Sequence, residues 1–543
     1  MRRTNYETFE SLPYDQMELS LDRVRRFLEF LGNPDRQYVI VHVAGTKGKG
    51  TTCAALDQIY RAAGYRVGLF TSPHLDQFLE RFQIDGKICD KTFFAETTWA
   101  LAGLWKDFVR QEKLDAQSSS DSHLAQQELP EELTFFEWTL VLAVTLFARA
   151  KVDIAILEVG LGGRFDATNA CDADVSVLTS VSYDHCEQLG YTLSEIASEK
   201  LGIVKTNAPL VCGVGFSGAL YSGFQNYLQR NSAQMSVETQ LNVRQGAGQM
   251  KDPSPESFDS VSADAPTPTI PKAPLFRVGD GVTVKDFAYA VEPETIISVS
   301  EIDVLRSMAH KRAVAFNSPF VSVESISPRV AALPTPPFDS VRRWNFEVAL
   351  RVVEILATRR CAPERRPGAD DPNRTRRFPV PPAAISAAAA NFSIPARFEI
   401  VSKSPLVIVD GAHNRASIAA FVQEVAERYP GKKVRTLVAF TTGKDIKGML
   451  AELAARVDEI HLSERPKDPR ALPLPELIQI AENLMDEVCP EDSPIRRKFH
   501  VAPDFRAFLA DYCARMANED GVMCALGSFY FAALVRQAMR KHE

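Results

Sequence analysis

Residues Val41 to Cys53 carry an apolar strand into a glycine loop with two lysines and then into a helix. Gly45, Gly48 and Gly50 let the backbone fold tightly, so that its N–H groups and the following helix N-terminus point at one anionic centre. That chemistry is a phosphate cradle. Lys49 is placed to reach the outer phosphates and the Thr51 hydroxyl to ligate Mg²⁺. The spacing departs from the common Gly-x-x-x-x-Gly-Lys-[Ser/Thr], because Gly50 separates the lysine from the hydroxyl. The same glycines would also serve a plain strand-to-helix turn, so the reading depends on what converges there.

Further residues sit at, or on a helix just behind, the ends expected of neighbouring strands. Glu158 closes a buried apolar run and is followed by Gly160, Gly162 and Gly163. A carboxylate in that position is costly to bury unless a cation pairs with it, either Mg²⁺ facing the phosphate loop or a nearby arginine. The next strand empties into Asp184 and His185, at the same end of the same sheet, and Lys200 lies on a helix beyond them that can point back at the cluster. Ser72 follows the strand Arg66 to Thr71, where its simplest role is to cap a turn. Later in the chain, the strand Leu406 to Val409 ends in Asp410-Gly411-Ala412-His413-Asn414, polar side chains around a glycine turn. Arg397, shortly before, is suited to bidentate contact with phosphate or carboxylate.

The elements that must hold these residues alternate. Strand-like runs at Tyr38 to Ala44, Arg66 to Thr71, Val152 to Glu158 and Asp174 to Ser180 are separated by helical runs from Gly50, Leu133 and near Leu193. That pattern predicts a mostly parallel sheet covered on both faces, with ligands gathered at the carboxyl ends of its strands. The texture changes between about residues 245 and 337, where Pro-rich polar sequence predicts an insertion with some strand near Gly281 to Ile297. After a helix at Trp344 to Ala357, a Pro/Arg-rich stretch from about 359 to 391 reads as a linker. Alternation then resumes at Leu406 to Val409, Val434 to Phe440, Glu459 to Leu462, Phe499 to Val501 and Val522 to Leu526. The expected fold class is therefore α/β. A P-loop-type, mostly parallel domain over residues 1–391 is followed by a smaller Rossmann-like α/β domain over 392–543, with a cleft between them for ligands.

Composition narrows the partners. With 543 residues the chain is long enough for two or three domains, and a net charge of −7 leaves no electrostatic footprint for a nucleic-acid backbone. Nine cysteines are scattered singly, without Cys-x-x-Cys, as expected of free thiols in a reducing compartment. The N-terminus lacks the apolar core of a signal peptide, and the longest apolar run, Trp138 to Ala148, is too short to cross a bilayer. A cytoplasmic protein with small-molecule partners, and neither nucleic acid nor membrane, is the expectation.

Gly45 to Thr51, Thr71 to Leu75, Glu158 to Asn169, Asp184-His185, Glu199 to Ile203 and Asp410 to Asn414, taken in order, resemble the folylpolyglutamate synthase/dihydrofolate synthase family of the Mur-ligase superfamily. The resemblance implies an ATP-dependent ligase joining L-glutamate to folate, to dihydropteroate, or to both through an acyl phosphate, and working as a monomer. It implies that Gly45, Thr46, Lys47, Gly48, Lys49, Gly50 and Thr51 hold the triphosphate, with Arg397 and Asp410 contacting the nucleotide from across the cleft. Ser72, Glu158 and His185 would surround Mg²⁺, with Thr51 as a further ligand. Lys200 matches a lysine that the family carbamylates with CO₂, and His413 and Asn414 would line the same site. Catalysis would then rest on Lys49, Lys200 and His185.

The chain departs from the family in three places: Leu201 replaces an alanine, Val341-Arg342 replaces a His-Gln pair although Asn345 fits, and the Pro-rich insertion has no counterpart. The second departure removes a glutamine that normally meets the nucleotide. Two other readings stay open at this level, a Mur-type ligase for another amino acid and an ATP-binding scaffold without catalysis.

Overall fold

Alternate residues of the first strand, β1 (Val39–Ala44), feed two separate cores. Val39, Val41 and Val43 pack with Leu56 and Ile59 of helix α1 (Lys49–Ala62), while Ile40 packs with Val144 and Phe147 of helix α2 (Phe135–Ala150). A strand apolar on both faces has to lie inside a sheet with helices on either side, as the sequence pattern requires. Helix α2 is fixed at its start by Thr134, whose hydroxyl accepts from the Glu137 N–H while Glu137 returns a bond to the Thr134 N–H. Glu137 also meets the Arg23 Nε at 3.1 Å, so this buried carboxylate is paired.

The computed structural model describes residues 20–118 except 76, 133–215 except 183, 299–331, 340–359, 377–488 except 466, 467 and 469, 498–516 and 521–540. The first sheet adds β2 (Val67–Phe70), β3 (Phe82–Ile84), β4 (Lys87–Ile88), β5 (Ile154–Glu158), β6 (Val175–Leu178), β7 (Leu210–Cys212) and β8 (Phe320–Ser322), in the order β4-β3-β2-β5-β1-β6-β7-β8. From β2 to β8 the pairings are parallel, and the β3–β4 hairpin adds an antiparallel edge. Helix α3 (Leu193–Leu201) follows β6, and helix α4 (Ser340–Thr358) lies over the face that carries α1.

The second sheet contains β9 (Glu399–Lys403), β10 (Leu406–Val409), β11 (Lys433–Val438), β12 (Glu459–Leu462), β13 (Phe499–Val501) and β14 (Gly521–Leu526), in the order β13-β12-β11-β14-β10-β9. All its pairings are parallel except β9 with β10. In β14, Val522, Cys524 and Leu526 face one core and Met523 and Ala525 the other. Helix α5 (Arg415–Arg428) leaves the carboxyl end of β10.

Two expectations need correction. The insertion placed at about 245–337 ends before residue 299: Val299–Ala315 is a helix whose Ile302, Leu305, Ala309 and Ala313 form a buried stripe, and β8 extends the first sheet beside β7. The stripe is half alanine, which gives little apolar contrast in a polar neighbourhood. Within the linker expected at 359–391, Pro382–Ala390 is a helix, with Ile385, Ala388 and Ala389 in the same core as α1. The strand expected near 281–297 lies outside the described residues.

Candidate functional site

β1 lies between β5 and β6, so the connections leaving β1 and β5 run to opposite sides of it. Open parallel sheets bind ligands at such a reversal, beyond the strands' carboxyl ends. Gly45 follows β1 there with φ +151°, and Gly48, with φ +86°, precedes α1. A Cβ on Gly45 would overlap Thr179 Oγ1 beyond β6, and a Cβ on Gly48 would overlap the side-chain amide of Asn345 on α4. The loop is thus pressed between two elements and has room for glycine alone at both points.

The loop is also tied down from the β6 side. The Thr46 N–H donates to Ser180 O at 2.9 Å, the Lys47 N–H to Ser180 Oγ at 2.9 Å, and Thr179 Oγ1 to Lys47 O at 2.7 Å. Thr46 Oγ1 accepts from the Ser182 N–H at 3.0 Å. Sequence reasoning missed Thr179 and Ser180. Their only advance signal was their place at a strand end beside the glycine loop.

Lys49 Nζ donates to Gly45 O at 3.0 Å, and Lys200 Nζ, coming from α3, donates to the same oxygen at 3.4 Å. Lys200 is buried, and its pKa is pulled down to about 8, first by burial and then by the Lys49 charge. Glu158, the last residue of β5, is buried and accepts the Ser72 N–H at 3.3 Å. Both carboxylate oxygens lie 3.7 Å from where a Gly50 Cβ would stand. Burial raises the carboxyl to about 7, with Lys49 the strongest opposing influence, followed by the Ser72 N–H, Arg397 and Arg81. Among the described residues Glu158 is in no ion pair, so its charge is only partly compensated. Nearby, Arg81 Nε donates to His74 Nδ1 at 3.0 Å, and burial brings His74 down to about 4.

The glycine-rich segment after Glu158 seats the helix that carries Lys200. Asp166 accepts the Gly160 and Leu161 N–H groups at 3.0 and 2.9 Å, curling the segment. Arg164 N then donates to Glu199 O at 2.8 Å, and Asn169 Nδ2 donates to Gly202 O at 3.1 Å. A Cβ on Gly163 would come within 2.8 Å of both Glu199 O and Lys200 O. These glycines therefore allow close approach of α3 as well as any approach to a ligand.

Glu158, buried, incompletely compensated and holding the Ser72 N–H, has the chemistry to take a hard cation such as Mg²⁺, for which the hydroxyls of Ser72 and Thr51 are oxygen donors of the right type. His185 is different: it is exposed, has φ +52° ahead of a short helix, and its Nε2 is 3.7 Å from Asp184 Oδ1. Among the described residues no hydrogen bond joins it to Glu158, Ser72 or Thr51, and no group of three or more His, Cys, Asp and Glu is arranged to hold a metal.

The second sheet presents its own strand ends. Asp410 is buried; its Oδ2 accepts Phe398 N at 2.7 Å and its Oδ1 accepts Ala412 N at 2.8 Å. Burial raises its carboxyl, and Arg397 is the strongest influence in the other direction. Arg397 is exposed, with its guanidinium 5.2 Å from the Phe529 ring centre. His413 Nδ1 is 2.8 Å from Gly411 O, and burial lowers its pKa, helped by Lys444, Arg397 and Lys47 of the phosphate loop. Asn414 caps α5, its Oδ1 accepting the Ser417 N–H at 2.9 Å. The electrostatic influence of Arg397 on Glu158, and of Lys47 on His413, links the two sets of strand ends.

Residues 396–529 match the family model described as Mur ligase, glutamate ligase domain. The chain is 26% identical over 452 residues to a folylpolyglutamate synthase of Lacticaseibacillus casei, covering 83% of this chain and 82% of the relative. It is 27% identical over 487 residues to a dihydrofolate synthase/folylpolyglutamate synthase of Mycobacterium tuberculosis, covering 88% and 82%. The crystal structure of a bifunctional folylpolyglutamate synthase/dihydrofolate synthase from Yersinia pestis, complexed with AMPPNP and Mn ion, superposes with a TM-score of 0.62 at 25% identity, covering 98% of this chain and 97% of the other.

Proposed function

We propose that the chain is a member of the folylpolyglutamate synthase/dihydrofolate synthase family of Mur ligases, to which it is similar over most of its length, and that it is an ATP-dependent ligase adding L-glutamate to folate, to dihydropteroate, or to both. One observation carries the reading: Lys49 and Lys200 converge on the Gly45 carbonyl beside the buried Glu158, at the carboxyl ends of adjacent parallel strands. The reading divides the chain near residue 391 into an ATP-binding domain and a glutamate-ligase domain. It treats the protein as a cytoplasmic monomer, and the free state of all seven described cysteines fits the reducing compartment of that reading.

In this reading a substrate carboxylate oxygen attacks the γ-phosphorus of ATP, the bond to the bridging oxygen breaks, and ADP leaves an acyl phosphate. The amine of glutamate then attacks the acyl carbon, phosphate departs, the amine loses a proton, and an amide remains. Lys49 swings from Gly45 O to the phosphates, and the loop from Gly45 to Thr51, stiffened by Thr179, Ser180 and Asn345, holds them without reorganising. Glu158, with the Ser72 and Thr51 hydroxyls, would hold Mg²⁺, which when bound offsets the negative charge of the phosphates, and His185, whose ring is exposed beside Asp184, would join them only by turning toward Glu158. Arg397 meets the nucleotide from the second sheet. Asp410 keeps the turn that bears Arg397 in place through the Phe398 N–H, and His413 and Asn414 border the same edge.

Lys200 is the residue we assign to carbamylation. A neutral amine attacks CO₂, an N–C bond forms, and a proton is released, leaving a carboxylate-like group. A pKa of about 8 keeps a tenth or so of the amine neutral near pH 7, against less than a thousandth at the ordinary value. The test is phosphate release from ATP with dihydropteroate and with monoglutamyl folate in parallel, with and without glutamate, and mass analysis of the products. Glutamate-dependent release with a product one glutamate heavier is expected. Release indifferent to glutamate, or none with either acceptor, overturns the reading.

A further inference from the structure

Arg342 stands on α4 one turn before Asn345, whose amide packs against Gly48 of the phosphate loop. Instead of facing solvent, Arg342 is buried, and its Nη1 lies 3.1 Å from Glu424 Oε1 on α5 of the second sheet. Glu424 also pairs with Arg428 one turn later on α5. The two arginines sit over the Phe398 ring, with Arg428 at 4.2 Å and Arg342 at 5.8 Å from its centre. Phe398 and Ala396 both have left-handed backbone, φ +46° and +52°, an uncommon conformation for residues with side chains. Asp410 and Glu399 hold that turn by accepting Phe398 N and Ala396 N. Its middle residue is Arg397, which acts electrostatically on Glu158.

A path therefore runs from Gly48 to Asn345, along one turn of α4 to Arg342, across to Glu424 and Phe398, and along the chain to Arg397. We propose that Arg342 is a positioning residue: it registers the Arg397 turn of the second sheet against the phosphate loop of the first, so that both lobes meet one nucleotide. A buried ion pair is weak evidence of net stability, because the desolvation of both charges offsets their attraction. Its fixed geometry across two lobes is better suited to setting an orientation. The inference rests on the ligase reading for its activity assay, and nucleotide affinity tests it separately.

The experiment is a double-mutant cycle on the full chain with Arg342→Met, Arg397→Ala and both together. It is read by calorimetric ADP affinity, by kcat and KM for ATP, and by melting temperature. Arg342→Met is expected to weaken ADP binding and to lower kcat/KM at least tenfold, with little further loss when Arg397→Ala is added. Arg342→Lys is expected to recover part of the loss. Glu424→Gln, which keeps the size of the partner, is expected to reproduce the loss and serves where Arg342→Met fails to fold. Unchanged ADP affinity in a folded variant, or losses that simply add to those of Arg397→Ala, overturns the proposal. Wild-type protein that binds ADP but ligates nothing overturns the ligase reading and leaves the affinity cycle to decide on Arg342.

Discussion

Lys49 and Lys200 come from different helices and donate to one acceptor, the Gly45 carbonyl oxygen, at 3.0 and 3.4 Å. Two ammonium groups sharing a carbonyl repel each other most strongly where water is scarce, and the more deeply buried of them gives up its proton more readily. In the proposed ligase that contrast lets the pair divide the work, Lys49 meeting phosphate and Lys200 offering an amine whose pKa is brought down to about 8 by burial and the Lys49 charge.

Replacing Lys49 should show both halves of that relationship. Lys49→Ala is expected to reduce kcat/KM on the order of 10³-fold, the scale of losing a charge-stabilising group at a transferred phosphoryl. It also removes the second-largest depressing influence on Lys200, whose titration should move above about 8. Phosphate release and NMR of the labelled lysine ε-carbon measure the two effects. A Lys200 titration left where it was contradicts the coupling.

Stability should respond to Lys200 in a pH-dependent way. The group binds its proton up to about 10.5 when unfolded but only to about 8 when folded, so the unfolded chain holds more protons in that interval and stability rises with pH across it. The cost is full below pH 8, about 3 kcal/mol, and vanishes above 10.5. In CO₂-free buffer Lys200→Met should therefore be more stable than the parent at pH 7, with the gap closing toward pH 10.5, and should not ligate. Denaturant midpoints at pH 7 and pH 10 check the sign. A variant less stable at pH 7 refutes it.

Gly48 separates backbone requirement from packing. Gly48→Ala puts a methyl group into the Asn345 amide and forces a side chain into φ +86°, together costing about 1–3 kcal/mol. Adding Asn345→Ala frees the space and leaves the dihedral cost, so melting temperature should recover in part and phosphate release should not. Complete recovery of both would show that steric overlap alone makes glycine necessary there.

Strand ends were legible because the chemistry is punctuated by apolar runs. β10, β12 and β13 fall on Leu406–Val409, Glu459–Leu462 and Phe499–Val501 as the pattern predicts, and Glu158 does end β5. The two-residue β4, whose Lys87 and Ile88 are both exposed, has no apolar run to announce it, whereas the long helix Lys91–Ser118 does carry a buried helical stripe in Phe94, Leu101, Trp105 and Phe108, which a reading led by strand ends passes over. At the site, residue types announced Lys49, Glu158, Lys200 and Asp410, but their partners are set by tertiary packing. That Lys200 shares a carbonyl with Lys49, that Asp410 is engaged with two backbone N–H groups, and that Arg342 reaches Glu424 all depend on segments distant in sequence. His185 reads in sequence like a ligand beside Glu158, yet its ring is exposed next to Asp184.

Asp410 and Arg397 adjoin one turn but should fail differently. Asp410→Asn replaces one acceptor by an NH₂ group facing a backbone N–H, leaving a buried donor unsatisfied at a cost of about 1–3 kcal/mol. The left-handed turn at Ala396 and Phe398 then loses its anchor, so stability and nucleotide affinity should fall together. Arg397→Ala removes an exposed guanidinium resting on Phe529, and its melting temperature should stay within a degree or two of the parent while KM for ATP rises. If Arg397→Ala destabilises as much as Asp410→Asn, the arginine belongs to the scaffold of the turn and its assignment to the nucleotide is wrong.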